Sequence, residues 1–215
     1  MISIVAIEGN IAAGKSTFVE ELKKRYEGNP TVSFLDEPVE EWESIKDAYG
    51  VSMLQKYYSN PSKYAFAFQM MALGSRLNIL KQKVKSIEAP HTIITERSVY
   101  TDREVFANML HDQKMMEDVE FKIYNKWFDD FVDIKVDSVV MLKTTPETSF
   151  ARINRRGRAG EVIPLEYLQT CDEYHQRMLG GLTIPKFIFD ADKDIYDNPE
   201  ILEEWLKMMD HIIRI

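Results

Sequence analysis

One cysteine, Cys171, stands among 215 residues, so the chain can close no disulfide on itself. Its four histidines, His91, His111, His175 and His211, are too scattered for a zinc site, and Cys171 reads as a buried structural thiol. No apolar run approaches the roughly 18 residues that a membrane span needs, so no membrane crossing is expected. Repeats, low-complexity tracts and Pro/Gly/Ser-rich linkers are missing, and the expectation is one domain over residues 1–215, long enough to bury roughly 70% of its unfolded surface. Positive charge is also scarce: 27 Lys and Arg face 35 Asp and Glu, a formal net charge of −8. Non-specific nucleic-acid affinity comes from neutralising phosphates with Lys and Arg, so no nucleic-acid partner is expected. The apolar stretch Ile2 to Ile7 leaves no room for a signal or transit peptide, which points to the cytoplasm; a leader removed ahead of Met1 is compatible with the same sequence.

Short β-branched runs alternate with longer segments of helical period, the pattern of an α/β fold with helices on both faces of a parallel sheet. Strands are expected near 2–8, 32–36, 91–96, 136–142 and 186–190. Helices are expected near 15–26, 50–59, 62–88, 100–111, 116–131, 146–156, 164–179 and 198–213.

GNIAAGKST, Gly9 to Thr17, matches G-x-x-x-x-G-K-[ST] directly after a strand and at the opening of a helix. Glycines let the backbone curl close to an anion, and the exposed N–H groups with the helix N-terminus favour negative charge there. The segment Gly9, Asn10, Ala12, Ala13, Gly14, Lys15, Ser16 and Thr17 is therefore read as a nucleoside triphosphate cradle. Lys15 is expected on the β and γ phosphates and the Ser16 hydroxyl on Mg²⁺. The motif alone does not separate a GTPase, an ATPase and a small-molecule kinase.

Ligands of open α/β sheets lie beyond the carboxyl ends of the strands. Strand 2 runs into FLDEPVEEW, where Pro38 forces an extended or turn conformation on Glu37. Strand 3 ends in TIITERS, placing Glu96 and Arg97 beside the cradle if this strand neighbours the first. Glu96 can hold Mg²⁺ directly or through water, and Arg97 can bind a phosphate or hold Glu37. A phosphoryl acceptor must lose a proton as it attacks, and Glu37 is the candidate base.

RINRRGRAGE, residues 152 to 161, concentrates four arginines in an acidic chain. The helix over 146–156 would deliver it toward the phosphates, with Arg152 and Arg156 one turn apart on the same face. Gly157 and Gly160 allow the segment to hinge as a lid.

With GNIAAGKST, DEPVEEW, AFAFQ, ERSVYTDREVFA, RRGR and IPLEYL in this order, the chain resembles the deoxynucleoside kinase family, in its deoxycytidine and deoxyguanosine kinase-like branch. The resemblance runs from the first strand to the DADKDI loop. It implies a P-loop kinase fold, with a five-stranded parallel sheet flanked by helices and an arginine-rich lid. The implied reaction moves the γ-phosphoryl group of ATP to the 5′-hydroxyl of a deoxynucleoside, with Mg²⁺, in nucleotide salvage. Glu37 matches the general base, Arg97 the arginine that holds it and the 5′ oxygen, and Glu96 the acid near Mg²⁺. Gln69 matches the glutamine on the base edge; Phe106, Phe68 and Trp42 match the aromatic walls. Tyr58 and Glu161 match the residues on the sugar 3′-hydroxyl. Arg152, Arg156 and Arg158 match the phosphate-contacting lid arginines, with Arg155 left to solvent, and Asp194 falls in the loop near the donor's adenine. Counting back from Pro164 rather than forward from Arg158 moves Glu161 off its position by one. Arg76 and Asp102 fall where the deoxycytidine and deoxyguanosine kinases carry an Arg and Asp pair lining the base pocket, so cytosine or purine deoxynucleosides are expected over thymidine. Read without the resemblance, Arg76 fits a solvated helix residue and Asp102 a helix first turn. A homodimer through helices 62–88 and 116–131 is also implied, although ordinary core packing explains the same apolar faces.

Two other readings compete. A nucleoside monophosphate kinase shares the cradle and the lid, but a carboxylate at the acceptor would repel its phosphate. An inactive kinase-like accessory subunit would keep the fold, yet such a protein usually loses the cradle or the base, and Lys15, Ser16, Glu37, Glu96 and Arg97 are all present.

Overall fold

A computed structural model of the protein describes residues 1–157 and 162–213. Strands β1 (Ile2–Gly9), β2 (Val32–Leu35), β3 (His91–Glu96), β4 (Ser138–Lys143) and β5 (Lys186–Asp190) form one sheet in the order β2-β3-β1-β4-β5, every pairing parallel. Around it lie α1 (Lys15–Arg25), α2 (Val39–Ser44), α3 (Met53–Ser59), α4 (Pro61–Ser86), α5 (Val99–Thr101), α6 (Asn108–Asp112), α7 (Asp118–Phe131), α8 (Pro146–Arg156), α9 (Leu165–Gly181) and α10 (Pro199–Ile212). A π-helical turn, Asp102–Ala107, joins α5 to α6. This is the expected α/β architecture, and no helix among the described residues is long and apolar enough to cross a membrane.

Both faces of β1 are covered, which is why its sequence is a continuous apolar run. Val5 and Ile7 pack with Phe18, Val19 and Leu22 of α1, Phe189 of β5, and Trp205 and Met209 of α10. Ile4 and Ala6 face the other way, onto Leu80 of α4, Ile93 and Val139. As the middle strand, β1 delivers its carboxyl end to the centre of the site. Parallel register sets Ile7 opposite Glu96 and Gly9 opposite Leu142, so β3 ends beside the cradle.

Three elements depart from the expected pattern. Helix α2 follows Pro38 where only a turn was expected; Glu40 and Glu41 in its first turn suit the helix dipole, and Trp42 is its buried anchor. The helix expected from residue 50 begins at Met53. There Ser52 Oγ accepts from the Gln55 N–H, and the Gln55 side chain accepts from the Ser52 N–H, a complete capping box. The helix expected over 100–111 is three pieces, and its wide π turn brings both Asp102 and Phe106 to the lining of one cavity.

Candidate active site

A cavity of about 1270 Å³ opens beyond the carboxyl ends of the strands, lined from Ile11 to Thr17 on one side and by Glu37, Phe68, Gln69, Asp102 and Phe106 on the other. The cradle needs its glycines. A Cβ on Gly9 would lie 2.7 Å from Leu142 O, and Gly14, at φ +96°, turns the chain into α1. Lys15 is 5% exposed and donates from Nζ to Asn10 O at 2.8 Å. Burial, helped by the Arg97 charge, pulls its pKa down to about 7. Ser16 Oγ donates to Glu96 Oε1 at 2.9 Å, so a hydroxyl and a carboxylate meet at the mouth of the cradle, a pair of hard oxygens suited to a magnesium ion.

Opposite the cradle is a buried network of acids and arginines. Arg76 extends from α4 and donates from Nε to Asp102 Oδ2 at 2.9 Å, from Nη1 to Glu96 O at 2.7 Å and from Nη2 to Glu37 Oε1 at 2.9 Å. Arg97 Nε reaches the same Glu37 oxygen at 3.4 Å. Burial by itself would raise the pKa of Glu37, but the charges of Arg97, Arg76 and Lys15 outweigh it and hold the carboxyl below its ordinary range. Asp102 goes the other way: burial raises it despite Arg76. Arg97 has φ +61°, a backbone conformation that costs a non-glycine residue about 1–3 kcal/mol. Its guanidinium sits 5.0 Å over the Phe106 ring and donates from Nη1 to His175 Nε2 at 3.5 Å. His175 donates from Nδ1 to Cys171 O at 2.7 Å, which leaves Nε2 bare as an acceptor. Burial and Arg97 bring its pKa down to about 3, so the ring stays neutral.

The far wall is aromatic. Trp42 and Phe68 meet edge to face at 5.4 Å, Tyr57 stacks on Phe68 at 4.5 Å, and Trp42 Nε1 donates to Ser75 Oγ at 2.9 Å. Gln69 also lines the cavity, with its buried Oε1 lacking a hydrogen-bond partner among the described residues. An amide carbonyl left bare in a cavity wall is a place for a ligand donor.

Beside the cradle, Arg152 donates from Nη1 to Ala13 O at 3.4 Å and from Nη2 to Asp192 O and Lys193 O at 3.3 Å. It bridges the cradle and the loop after β5. Arg155 is not left to solvent alone: its side chain is 73% exposed, yet Nη2 reaches Asp194 Oδ2 at 3.2 Å. Arg155 and Arg156 both line the same cavity. Gly157, at φ +59°, ends α8 in the left-handed conformation.

Most of the expected site residues are thus brought around one cavity, Tyr58 and Asp194 included. Three stand back from it. Gly9 shapes the cradle from below, and Asn10 turns its side chain away to donate from Nδ2 to Leu168 O of α9 at 2.9 Å. Arg76, expected in the lining of the base pocket, lies behind that wall and holds Asp102 and Glu37, which do face the cavity. It is buried at 7% exposure, which corrects the solvated reading. Arg158, Gly160 and Glu161 fall outside the described residues. Sequence reasoning missed Tyr57, Tyr167, His175 and Glu8. Tyr167 sits inside IPLEYL, and its hydroxyl is 3.3 Å from that of Tyr57. Glu8 immediately precedes the cradle; it is fully buried, and burial raises its pKa against hydrogen bonds from Ser98 and Thr101.

Comparison with known proteins agrees with this geometry. Residues 5–214 match the family model described as deoxynucleoside kinase. The chain is 36% identical to deoxycytidine kinase of Homo sapiens, over 94% of this chain and 89% of that protein. It is 34% identical to deoxycytidine kinase 1 of Xenopus laevis, over 94% and 87%. A mitochondrial deoxyguanosine kinase of Xenopus laevis is 28% identical over 90% and 83%.

Proposed function

Since this chain belongs to the deoxynucleoside kinase family, we propose that its cavity takes ATP at the cradle and a deoxynucleoside against the aromatic wall, and moves the γ-phosphoryl group to the 5′-hydroxyl. One observation carries this reading above the others. Glu37 faces the cavity as a carboxylate held ionised by two arginines, and such a group can take the proton that an acceptor hydroxyl must shed. Its depressed pKa keeps the base available down to acidic pH, and activity is lost only as pH falls through that lowered value.

Phosphoryl transfer of this kind asks mostly for positioning and charge stabilisation. Lys15 and the backbone N–H groups of the cradle hold the β and γ phosphates, and Arg97 orients the 5′ oxygen against Glu37. Arg152 and Arg156, with Arg158 beyond the described residues, balance charge on the equatorial oxygens. Ser16 and Glu96 are the residues that would hold Mg²⁺, which would supply positive charge to the phosphates. Gln69 meets the base edge between Phe68, Trp42 and Phe106, while Tyr58 and Glu161 serve the sugar.

Cytosine or purine deoxynucleosides are favoured over thymidine. Asp102 presents a carboxylate to the cavity with Arg76 packed behind it, which fills space and opposes an apolar methyl. The working unit is a homodimer. Val119, Ile123, Trp127 and Phe131 form a row along α7, each 42 to 57% exposed, an apolar stripe of the kind that two-fold partners bury.

The test is ATP-dependent phosphorylation across a deoxynucleoside panel, with Glu37→Gln beside the wild type. The variant should bind ATP normally and lose about 10²–10⁴ in kcat. Full activity in the variant would remove Glu37 from the base role, and thymidine with the highest kcat/KM would overturn the base preference.

A further inference from the structure

Glu8 is a fully buried acid that the proposed reaction does not use and that does not line the cavity. Its Oε1 accepts from Ser98 Oγ at 2.6 Å and its Oε2 accepts from Thr101 Oγ1 at 2.5 Å. Those hydroxyls belong to the segment that leaves β3 just after Arg97. The preceding residue on β1, Ile7, accepts the Arg97 N–H at 2.9 Å. Two consecutive residues of β1 therefore grip the chain on either side of Arg97, whose backbone is left-handed at φ +61°. A strained backbone persists only where its surroundings over-determine it. Burying a carboxylate is a poor device for stability alone, since well-packed apolar groups do as well or better. A carboxylate offers each hydroxyl its own acceptor oxygen, whereas an apolar group offers none and an amide replaces one of the two oxygens with an NH2 donor.

We propose that Glu8 is a positioning residue, which locks the left-handed turn at Arg97 through Ser98 and Thr101 and so fixes the acceptor-side guanidinium to the strand that carries the phosphate cradle. The proposal rests on the reading of Arg97 given above. A glutamine at position 8 has the same bulk but replaces one acceptor oxygen with an NH2 donor, so one of the two hydroxyls must reverse its role or lose its bond, and the cost falls on the geometry of Arg97 rather than on the bulk of the core. Its effect is on kcat, because the cradle and the aromatic wall keep their own supports.

The experiment is a double-mutant cycle on the full chain with Glu8→Gln and Arg97→Lys, reading kcat, both KM values and the melting temperature. Glu8→Gln should lower kcat about tenfold with the KM for ATP unchanged, and should cost almost nothing further once Arg97 is lysine. If Glu8→Gln does not fold, Ser98→Ala with Thr101→Val removes the same two hydrogen bonds from the other end and should show the same non-additivity. Losses that multiply independently, or a lowered melting temperature with kcat intact, would overturn the role of Glu8 while leaving Arg97 in place. A silent Arg97→Lys in the wild-type background would overturn the reading of Arg97, and the proposal with it.

Discussion

Arg76 lies closer to Glu37 than Arg97 does, 2.9 Å against 3.4 Å, although Arg76 also grips Asp102 with the same guanidinium. One buried side chain thus joins the candidate base to Asp102, which lines the same cavity. The two ends of that link are unequal. Arg76→Leu strands Asp102 without its partner in the interior and should cost about 3–5 kcal/mol in urea unfolding. Asp102→Asn keeps an acceptor for Nε and leaves the bonds to Glu37 and Glu96 intact, so about 1 kcal/mol is expected. Equal losses would contradict this ordering.

The arginines of α8 should divide by what they reach. Arg152 bridges the cradle and the loop after β5, and Arg152→Ala should lower kcat by about 10³, the low end for an arginine on a transferring phosphoryl group. Arg155 makes one exposed ion pair, so Arg155→Ala should change steady-state rates by no more than about fivefold. A larger loss at position 155 would place that side chain on the phosphates as well.

Lys15 sets a pH dependence on donor binding. With its pKa down at about 7 in the free protein, it is largely neutral at about pH 8. Phosphate favours the charged form, so binding raises that pKa and takes up a proton. Affinity for ATP should therefore weaken as pH rises above about 7, toward the ordinary lysine value. Calorimetry in buffers of different ionisation enthalpy reads the uptake, which should approach one proton per ATP; a heat independent of buffer would count against it.

The α7 row supplies a test of assembly. Trp127→Glu puts a charge in the middle of the apolar stripe, with Ile123 and Phe131 one turn away on either side. Sedimentation should shift from dimer to monomer in the micromolar range, with the fold retained because Trp127 is half exposed. A wild type that sediments as a monomer would remove the dimer reading.

The sheet was legible because β-branched runs and a glycine-rich turn are local signals: five strands and the cradle lie where their residues place them. Glu37 and Glu96 were legible because one follows shortly after the end of β2 and the other ends β3. What was hidden depended on distance in the chain. Arg76 and Glu37 are 39 residues apart, and nothing in either neighbourhood announces the other. The π turn was hidden for another reason: DREVFA has ordinary helical composition, and the extra residue that widens the turn is chosen by tertiary packing. Arg155 was left to solvent because the resemblance matched only Arg152, Arg156 and Arg158 to the phosphates, and a motif match cannot register a partner 39 residues away at Asp194.

The three tryptophans fall in three environments, and this makes the protein its own fluorometer. Trp42 stands in the cavity wall against Phe68, Trp127 on the open stripe of α7, and Trp205 in the core between Phe18 and Phe189. Emission from the first should change with a ligand in the cavity, and from the second with burial of the stripe. Trp205 also borders the cavity, so its emission answers to a ligand there as well as to loss of the core, and comparing single-tryptophan variants would separate binding, assembly and unfolding in one chain.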